Sequence, residues 1–244
     1  MNSVLIIGAT SDVAISTAHL YAKKGYEILL AGRNSEQLEK LCSDIKIRYD
    51  VICSAHKIDL LDFPSHKSFI NQIGIKLPKT TICFAGFLGE QEKAAVDWDE
   101  AQKIIQTNFT GIVSIINLIA EKYESAKKGE IAVLSSVAGD RGRQSNYTYG
   151  ASKAGLTAYL SGLRNRLHKS NVHVLTVKPG FINTKMTEGL DLPKALTAQP
   201  EHISKAIEKG LRKKKNVIYS LWMWKYIMLI IKNIPEGIFK KLKL

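Results

Sequence analysis

Acidic residues are scarce in this sequence: 22 Asp and Glu stand against 35 Lys and Arg, a formal net charge of +13. The excess suits an anionic partner, but no recognisable nucleic-acid-binding motif accompanies it, which removes nucleic acid from the expected partners. Cysteine is scarce too. Cys42, Cys53 and Cys83 are odd in number, sit among apolar neighbours and show no metal spacing, so they read as reduced thiols in a cytosolic protein. The six histidines form no cluster, and no metal is expected. The N-terminal apolar run lacks a basic start and a cleavage site, which excludes a signal peptide and leaves a core strand. No linker, internal repeat or low-complexity tract breaks the chain, and its length suits one α/β core. Glycine is thin where it would matter for phosphate binding: Gly8 is followed by Asp12 and Ala14 where further glycines are usual.

What is present begins with Tyr149-Gly-Ala-Ser-Lys153. A tyrosine and a lysine four residues apart on one helix share a face. The positive charge is expected to favour phenolate and to lower the tyrosine pKa towards the working range. Upstream, Val4-Leu-Ile-Ile-Gly8 followed by a helical pattern from Asp12 reads as strand, tight turn and helix, the opening unit of a dinucleotide-binding fold. The helix N-terminus offers free N–H groups and partial positive charge to a pyrophosphate. Ser11 or Asp12 serves equally as a plain N-cap, and Asp12 must turn its carboxylate away from a phosphate. A second strand, Tyr26–Gly32, ends at Arg33. An acidic residue there suits the ribose hydroxyls of NAD, whereas an arginine suits the 2′-phosphate of NADP, so NADP(H) is expected over NAD(H).

Further strands are expected at 51–58, 80–86, 130–136, 172–180 and 217–220, with helices between them, including a long one over about 98–125 that carries Asn108. This alternation predicts a Rossmann-type doubly wound parallel sheet of about seven strands with helices on both faces. Ligands of such sheets bind beyond the carboxyl ends of the strands. Gly8, Arg33, Asp59, Gly86, Ser136 and Pro179 all fall at those ends.

Over nearly its whole length the chain resembles the short-chain dehydrogenases/reductases. The resemblance is carried by Gly8-Ala-Thr-Ser11, Asp59, Ala85-Gly86, Asn108, Ser135-Ser136-Val-Ala-Gly139, Tyr149 to Lys153, and Pro179-Gly180 followed by Thr184. It implies a catalytic tetrad of Asn108, Ser136, Tyr149 and Lys153; Ser136, thirteen residues before the tyrosine, is selected over Ser135. It also implies hydride transfer between a nicotinamide and a carbonyl or secondary alcohol. Tyr149 would exchange the proton, Ser136 would hold the oxygen, Lys153 would bind the ribose, and Asn108 would hold a relay water. Together with Arg33, cofactor contacts fall on Gly8, Thr10, Ser11, Asp12, Val13, Asp59, Ala85, Gly86, Tyr149, Lys153, Pro179, Gly180 and Thr184. Two departures stand out: the missing glycines, and Phe84 where the family places an asparagine.

The expected catalytic domain covers 1–220, with 181–199 as a substrate lid lined by Met186, Leu190, Leu192 and Leu196. Residues 221–244 form an extension that the fold does not require. Its run 221–231 is apolar except for Lys225, and at roughly 16 Å as a helix it falls short of the ~20 residues of a span. With Trp, Tyr and flanking lysines it suits a membrane interface, peripheral on the inner face; the alternative is a helix packed on its own domain or on a dimer. An apolar lid and an interfacial tail favour a lipid-linked ketone. Within the family, Gly86-Phe-Leu-Gly-Glu-Gln91 and Ser136 to Asn146 resemble the keto-reductases of polyprenyl-phosphoryl-ribose epimerisation. That implies a polyprenyl-phosphate-linked 2-keto sugar, a flavin oxidase as partner, and substrate contacts from Ser136, Arg141, Arg143 and Met186, the two arginines meeting the phosphate unless they belong to a solvated loop. Another apolar carbonyl (acyl, sterol or retinoid-like) and a non-catalytic cofactor-binding scaffold remain as alternatives. A homo-oligomer paired through the Trp98 and Tyr149 helices is the family's usual assembly.

Overall fold

The computed structural model describes residues 2–74, 77–189 and 191–242. The chain opens with β1 (Ser3–Ile7), α1 (Asp12–Ala22), β2 (Glu27–Gly32), α2 (Ser35–Tyr49), β3 (Cys53–Lys57), α3 (Ser65–Ile73) and β4 (Thr80–Cys83). It continues through α4 (Gln91–Ala94), α5 (Trp98–Ile105), α6 (Gly111–Ala126), β5 (Gly129–Leu134), α7 (Tyr147–Leu167) and β6 (Val172–Pro179). After β7 (Phe181–Ile182) and β8 (Thr197–Ala198) come α8 (Pro200–Arg212), β9 (Val217–Ser220), α9 (Met223–Asn233) and α10 (Glu236–Phe239).

Seven strands form one parallel sheet in the order β3-β2-β1-β4-β5-β6-β9. Strand order reverses between β1 and β4, which opens a crevice beyond their carboxyl ends. Period-2 alternation explains the two-sided core. From β1, Val4 and Ile6 face a layer built with Val13 of α1, Leu38 of α2 and Ile207 of α8. Leu5 and Ile7 face the opposite layer, with Phe69 of α3, Ile115 of α6 and Leu160 of α7. The three cysteines are buried.

The long helix expected over 98–125 is interrupted: residues Gln106–Thr110 form a π turn between α5 and α6. Such turns gather at functional sites, and this one holds Asn108, which is fully buried. The expected lid contains the short β7–β8 pair and two 3₁₀ turns, Lys185–Thr187 and Lys194–Leu196. Leu190 lies outside the described residues, as do Lys243 and Leu244.

In the 221–244 segment, α9 packs on its own domain, the alternative weighed for it. The inner face of α9 buries Trp224 and Met228 against Val137, Phe181 and Leu196. The Trp224 ring meets Phe181 edge-on at 5.3 Å, and its Nε1 donates to the Leu196 carbonyl at 3.1 Å. The physical reason is apolar area: a helix this hydrophobic removes one face from water wherever a groove is open, here between the lid and the loop after β5.

Candidate active site

The cleft at the carboxyl edge has two parts. The larger, about 390 Å³, is lined by Gly8, Thr10, Ser11, Arg33, Asp59, Ala85 and Gly86 among others. The smaller, about 170 Å³, is lined by Ser136, Arg143, Asn146, Tyr149, Lys153, Pro179, Gly180, Thr184, Met186 and Trp224 among others, and shares Phe84, Ala85 and Gly86 with the first. Residues drawn from distant stretches of sequence therefore converge on one trench.

Gly8 is required by both turn and packing. Its φ is +75°, and an added Cβ would fall 2.8 Å from the Ala85 nitrogen. Ser11 is the N-cap of α1, its Oγ accepting from the Ala14 N–H at 3.3 Å. The first-turn N–H groups of Asp12 and Val13 have no intrahelical acceptor, the arrangement that suits a phosphate. The Asp12 carboxylate turns away and accepts from the Lys185 N–H at 2.9 Å, which relieves the repulsion expected from the sequence and ties α1 to the lid. The Val13 side chain is in the core, and neither Asp12 nor Val13 lines the cleft. Arg33 is exposed where β2 ends, and Lys57, paired in register with Gly32, joins it around the same opening. Lys57 was not singled out from the sequence; the only signal was its place at the end of β3. These features fit a dinucleotide.

Ser136 is 8% exposed and opens a 3₁₀ turn, its Oγ accepting from the Ala138 N–H at 3.1 Å. Ser135, passed over as the catalytic serine, has a structural role instead. Its hydroxyl donates to the Lys153 carbonyl at 3.0 Å and meets Thr157 Oγ1 at 2.7 Å. Gly139 lets the turn approach α7, since a Cβ there would lie 2.7 Å from the Ala154 nitrogen. Tyr149 is thereby held beside Ser136. Asp140 is buried in an ion pair with Lys178 and accepts from the Tyr219 hydroxyl at 2.9 Å, which fastens the turn to β6 and β9.

Lys153 is 2% exposed; its Nζ donates to the Leu134 carbonyl at 3.1 Å and lies 5.7 Å from the Tyr149 ring centre. Burial reverses the pKa direction expected from the sequence. It pushes the Tyr149 phenol up to about 12, with the Ser136 hydroxyl pulling weakly the other way. Burial likewise pushes Lys153 down to about 8. At Tyr149 desolvation outweighs the Ser136 hydrogen bond, so the phenol keeps its proton.

Asn108 Oδ1 accepts from the Phe87 N–H at 3.0 Å, and its Nδ2 donates to the carbonyls of Phe87 and Ile104 at 2.6 and 2.8 Å. Both amide protons are thus committed, and the side chain locks the chain after β4 to the π turn. Gly86 lies between Asn108 and Lys153, since a Cβ built on it would sit 3.3 Å from Asn108 Oδ1 and 3.6 Å from Lys153 Nζ.

The two loop arginines have opposite fates. Arg141 does not line the cleft. Its Nη1 donates to the carbonyls of Ile231 and Ile234 at 2.6 Å each, its Nη2 donates to Glu236 at 2.8 Å, and its guanidinium stacks 3.6 Å from the Phe239 ring centre. It closes the C-terminal end of α9, where free carbonyls attract cations. Arg143 faces the cleft. Met186 also lines it, and Leu196 packs under α9. Trp224 and Asn146, unexpected from the sequence, complete its wall.

The family model described as short chain dehydrogenase matches residues 2–194. An uncharacterized oxidoreductase of Mycobacterium tuberculosis is 30% identical over 241 residues, 98% of this chain and 96% of that protein. Sulfoacetaldehyde reductase 2 of Chromohalobacter salexigens is 31% identical over 188 residues, 75% of this chain and 74% of that one. Among solved structures, a short-chain dehydrogenase from Sphingobium yanoikuyae in complex with NADPH superposes with a TM-score of 0.80 at 20% identity, covering 97% of this chain and 98% of that one. The seven-stranded parallel sheet, the cleft at its carboxyl edge and the family match together make this chain a nicotinamide-dependent oxidoreductase of the short-chain dehydrogenase family.

Proposed function

We propose that the chain is an NADPH-dependent carbonyl reductase in which Tyr149 is the proton donor. The observation that carries this is the convergence of Tyr149, Ser136 and Lys153 on one cleft, with the Ser136 hydroxyl beside the phenol. A bound nicotinamide supplies hydride to the carbonyl carbon. As charge grows on the carbonyl oxygen, the Ser136 hydroxyl donates a hydrogen bond to it and Tyr149 transfers its proton. A well-placed donor aimed at developing charge is worth about 3 kcal/mol. Lys153 holds the cofactor ribose, and Asn108 positions the chain that carries Gly86. Tyr149→Phe is expected to abolish ketone-dependent NADPH oxidation while NADPH binding persists; a variant retaining near-normal turnover would falsify the role.

NADP preference rests on Arg33 and Lys57 around one opening. Arg33→Ala is expected to weaken NADPH far more than NADH, and equal losses for both would remove the preference.

The polyprenyl-phosphate-linked 2-keto sugar remains our substrate reading. The 170 Å³ cleft suits the reacting end of a molecule whose long chain stays outside. The outer face of α9 supports a lipid surface as the place of encounter: Trp222, Tyr226, Leu229 and Ile230 are all exposed, with Lys225 and Lys232 among them. Since Trp224 on the same helix walls the cleft, substitution tests this better than truncation. Full-length protein is expected to float with anionic liposomes and Leu229→Glu/Ile230→Glu to remain in solution; equal flotation discards the membrane reading. The same surface would serve another apolar carbonyl, and a ketone panel separates the two. A flavin oxidase that supplies the ketone belongs to the first reading alone. Its co-purification with this chain tests it.

A further inference from the structure

Arg143 and Asn146 carry buried polar atoms that nothing described in the protein satisfies: Nε of the guanidinium and Oδ1 of the amide. Both residues line the cleft that holds Ser136 and Tyr149. They belong to one turn, with the Asn146 N–H donating to the Arg143 carbonyl at 3.1 Å. Asn146 is also the N-cap of α7 but makes no side-chain capping bond, so its amide is free for a ligand. Other atoms of this kind, such as those of His19, Thr110 and Ser220, belong to residues outside the cleft.

A partly buried guanidinium without an acceptor is costly, because its desolvation is not repaid. Burial already draws the Arg143 pKa down. No carboxylate among the described residues pairs with it; Asp140, the acid nearest in sequence, is committed to Lys178. A water would satisfy the amide oxygen but would leave the positive charge uncompensated. The partner that satisfies both is an oxyanion for the planar donors of Arg143, accompanied by a hydroxyl that donates to Asn146. Leu88, Val137, Met186 and Trp224 give the cleft apolar lining, and Lys153 is the other cation in it. A cleft of about 170 Å³ accommodates roughly six water-sized volumes at ~30 Å³ each.

Resting on the reductase reading above, we propose that Arg143 and Asn146 form the site that selects a carbonyl substrate whose reacting end is hydroxylated and bears an oxyanion. Carboxylate and phosphate present the same chemistry to a guanidinium, so the test carries both. Dihydroxyacetone phosphate is compared with dihydroxyacetone, and acetoacetate with its methyl ester. Binding is measured by calorimetry to protein saturated with NADP⁺, where no turnover is needed, and kcat/KM is measured separately with NADPH. Wild type is expected to prefer the charged member of at least one pair by about a hundredfold, the pair concerned naming the source of the oxyanion. Arg143→Met is expected to erase that preference, chiefly through KM, and Arg143→Lys to restore part of it, each variant first checked for an unchanged melting temperature and NADP⁺ affinity. Equal binding of charged and neutral members by wild type, no binding of any, or a preference that survives in Arg143→Met overturns the proposal. Charge-selective binding without turnover leaves this site standing and refutes the reductase reading instead.

Discussion

Lys178→Met is expected to remove about 3–5 kcal/mol of folding stability, the usual cost of breaking a buried ion pair from one side. Lys178 is 7% exposed, one residue before Pro179, and Asp140 is its carboxylate partner. Unit charges ~3 Å apart at an effective dielectric of about 20 attract by roughly 5 kcal/mol. The substitution discards that attraction and leaves Asp140 buried with the Tyr219 hydroxyl as its remaining side-chain donor. The loss is a large share of a typical 5–15 kcal/mol total. With a urea slope of about 2.5 kcal/mol/M, a 4 kcal/mol loss lowers the unfolding midpoint by roughly 1.6 M, readable in tryptophan fluorescence because Trp224 is buried. Asp140→Asn is expected to cost a similar amount for the mirror-image reason. The double variant buries no charge at this point and is expected to recover most of the loss, a coupling of several kcal/mol. Single costs below about 1 kcal/mol, or costs that simply add in the double variant, would refute the view that this pair anchors the Ser136 turn to the sheet.

Three further outcomes follow from the geometry. Gly139→Ala places a methyl 2.7 Å from the backbone of α7; displacing Ser136 from Tyr149 by an ångström is expected to lower kcat about a hundredfold, with cofactor affinity at the Arg33 end retained. Arg141→Ala releases the carbonyls that end α9, and faster amide exchange through α9, with little change in the central strands, is the expected readout. For Lys153, burial lowers the folded pKa from 10.5 to about 8. The unfolded chain thus holds a proton between about pH 8 and 10.5 that the folded chain has released, and stability of cofactor-free protein gains from this group as pH rises through that window. Lys153→Met is expected to flatten that rise in thermal unfolding measured against pH.

The cleft was legible in the sequence because its parts sit at strand ends, and strand ends are readable from short range. Gly8 breaks an apolar run, Arg33 ends another, and Tyr149 and Lys153 are related by the helical repeat alone. The long helix was legible in extent but not in its π turn, because Asn108 reaches back to Phe87, 21 residues away, and no local pattern reports such a contact. Arg141 and Arg143 look alike in the sequence. One meets the end of α9, about 90 residues further on, while the other is left facing the cleft; only the path of the C-terminus separates them. Lys57 escaped notice for the same reason, since it matters only where β3 brings it beside Arg33.

The sequence by itself determined the sheet and the strand ends that line its carboxyl edge, because hydrophobic period, turn chemistry and i, i+4 spacing are properties of neighbouring residues. Tertiary structure alone decided the electrostatics and the walls of the site. Desolvation reversed the direction expected for Tyr149, and apolar burial folded α9 back so that Trp224 closes the cleft. Both effects depend on which surfaces leave water, and that is set by contacts between segments far apart in the chain.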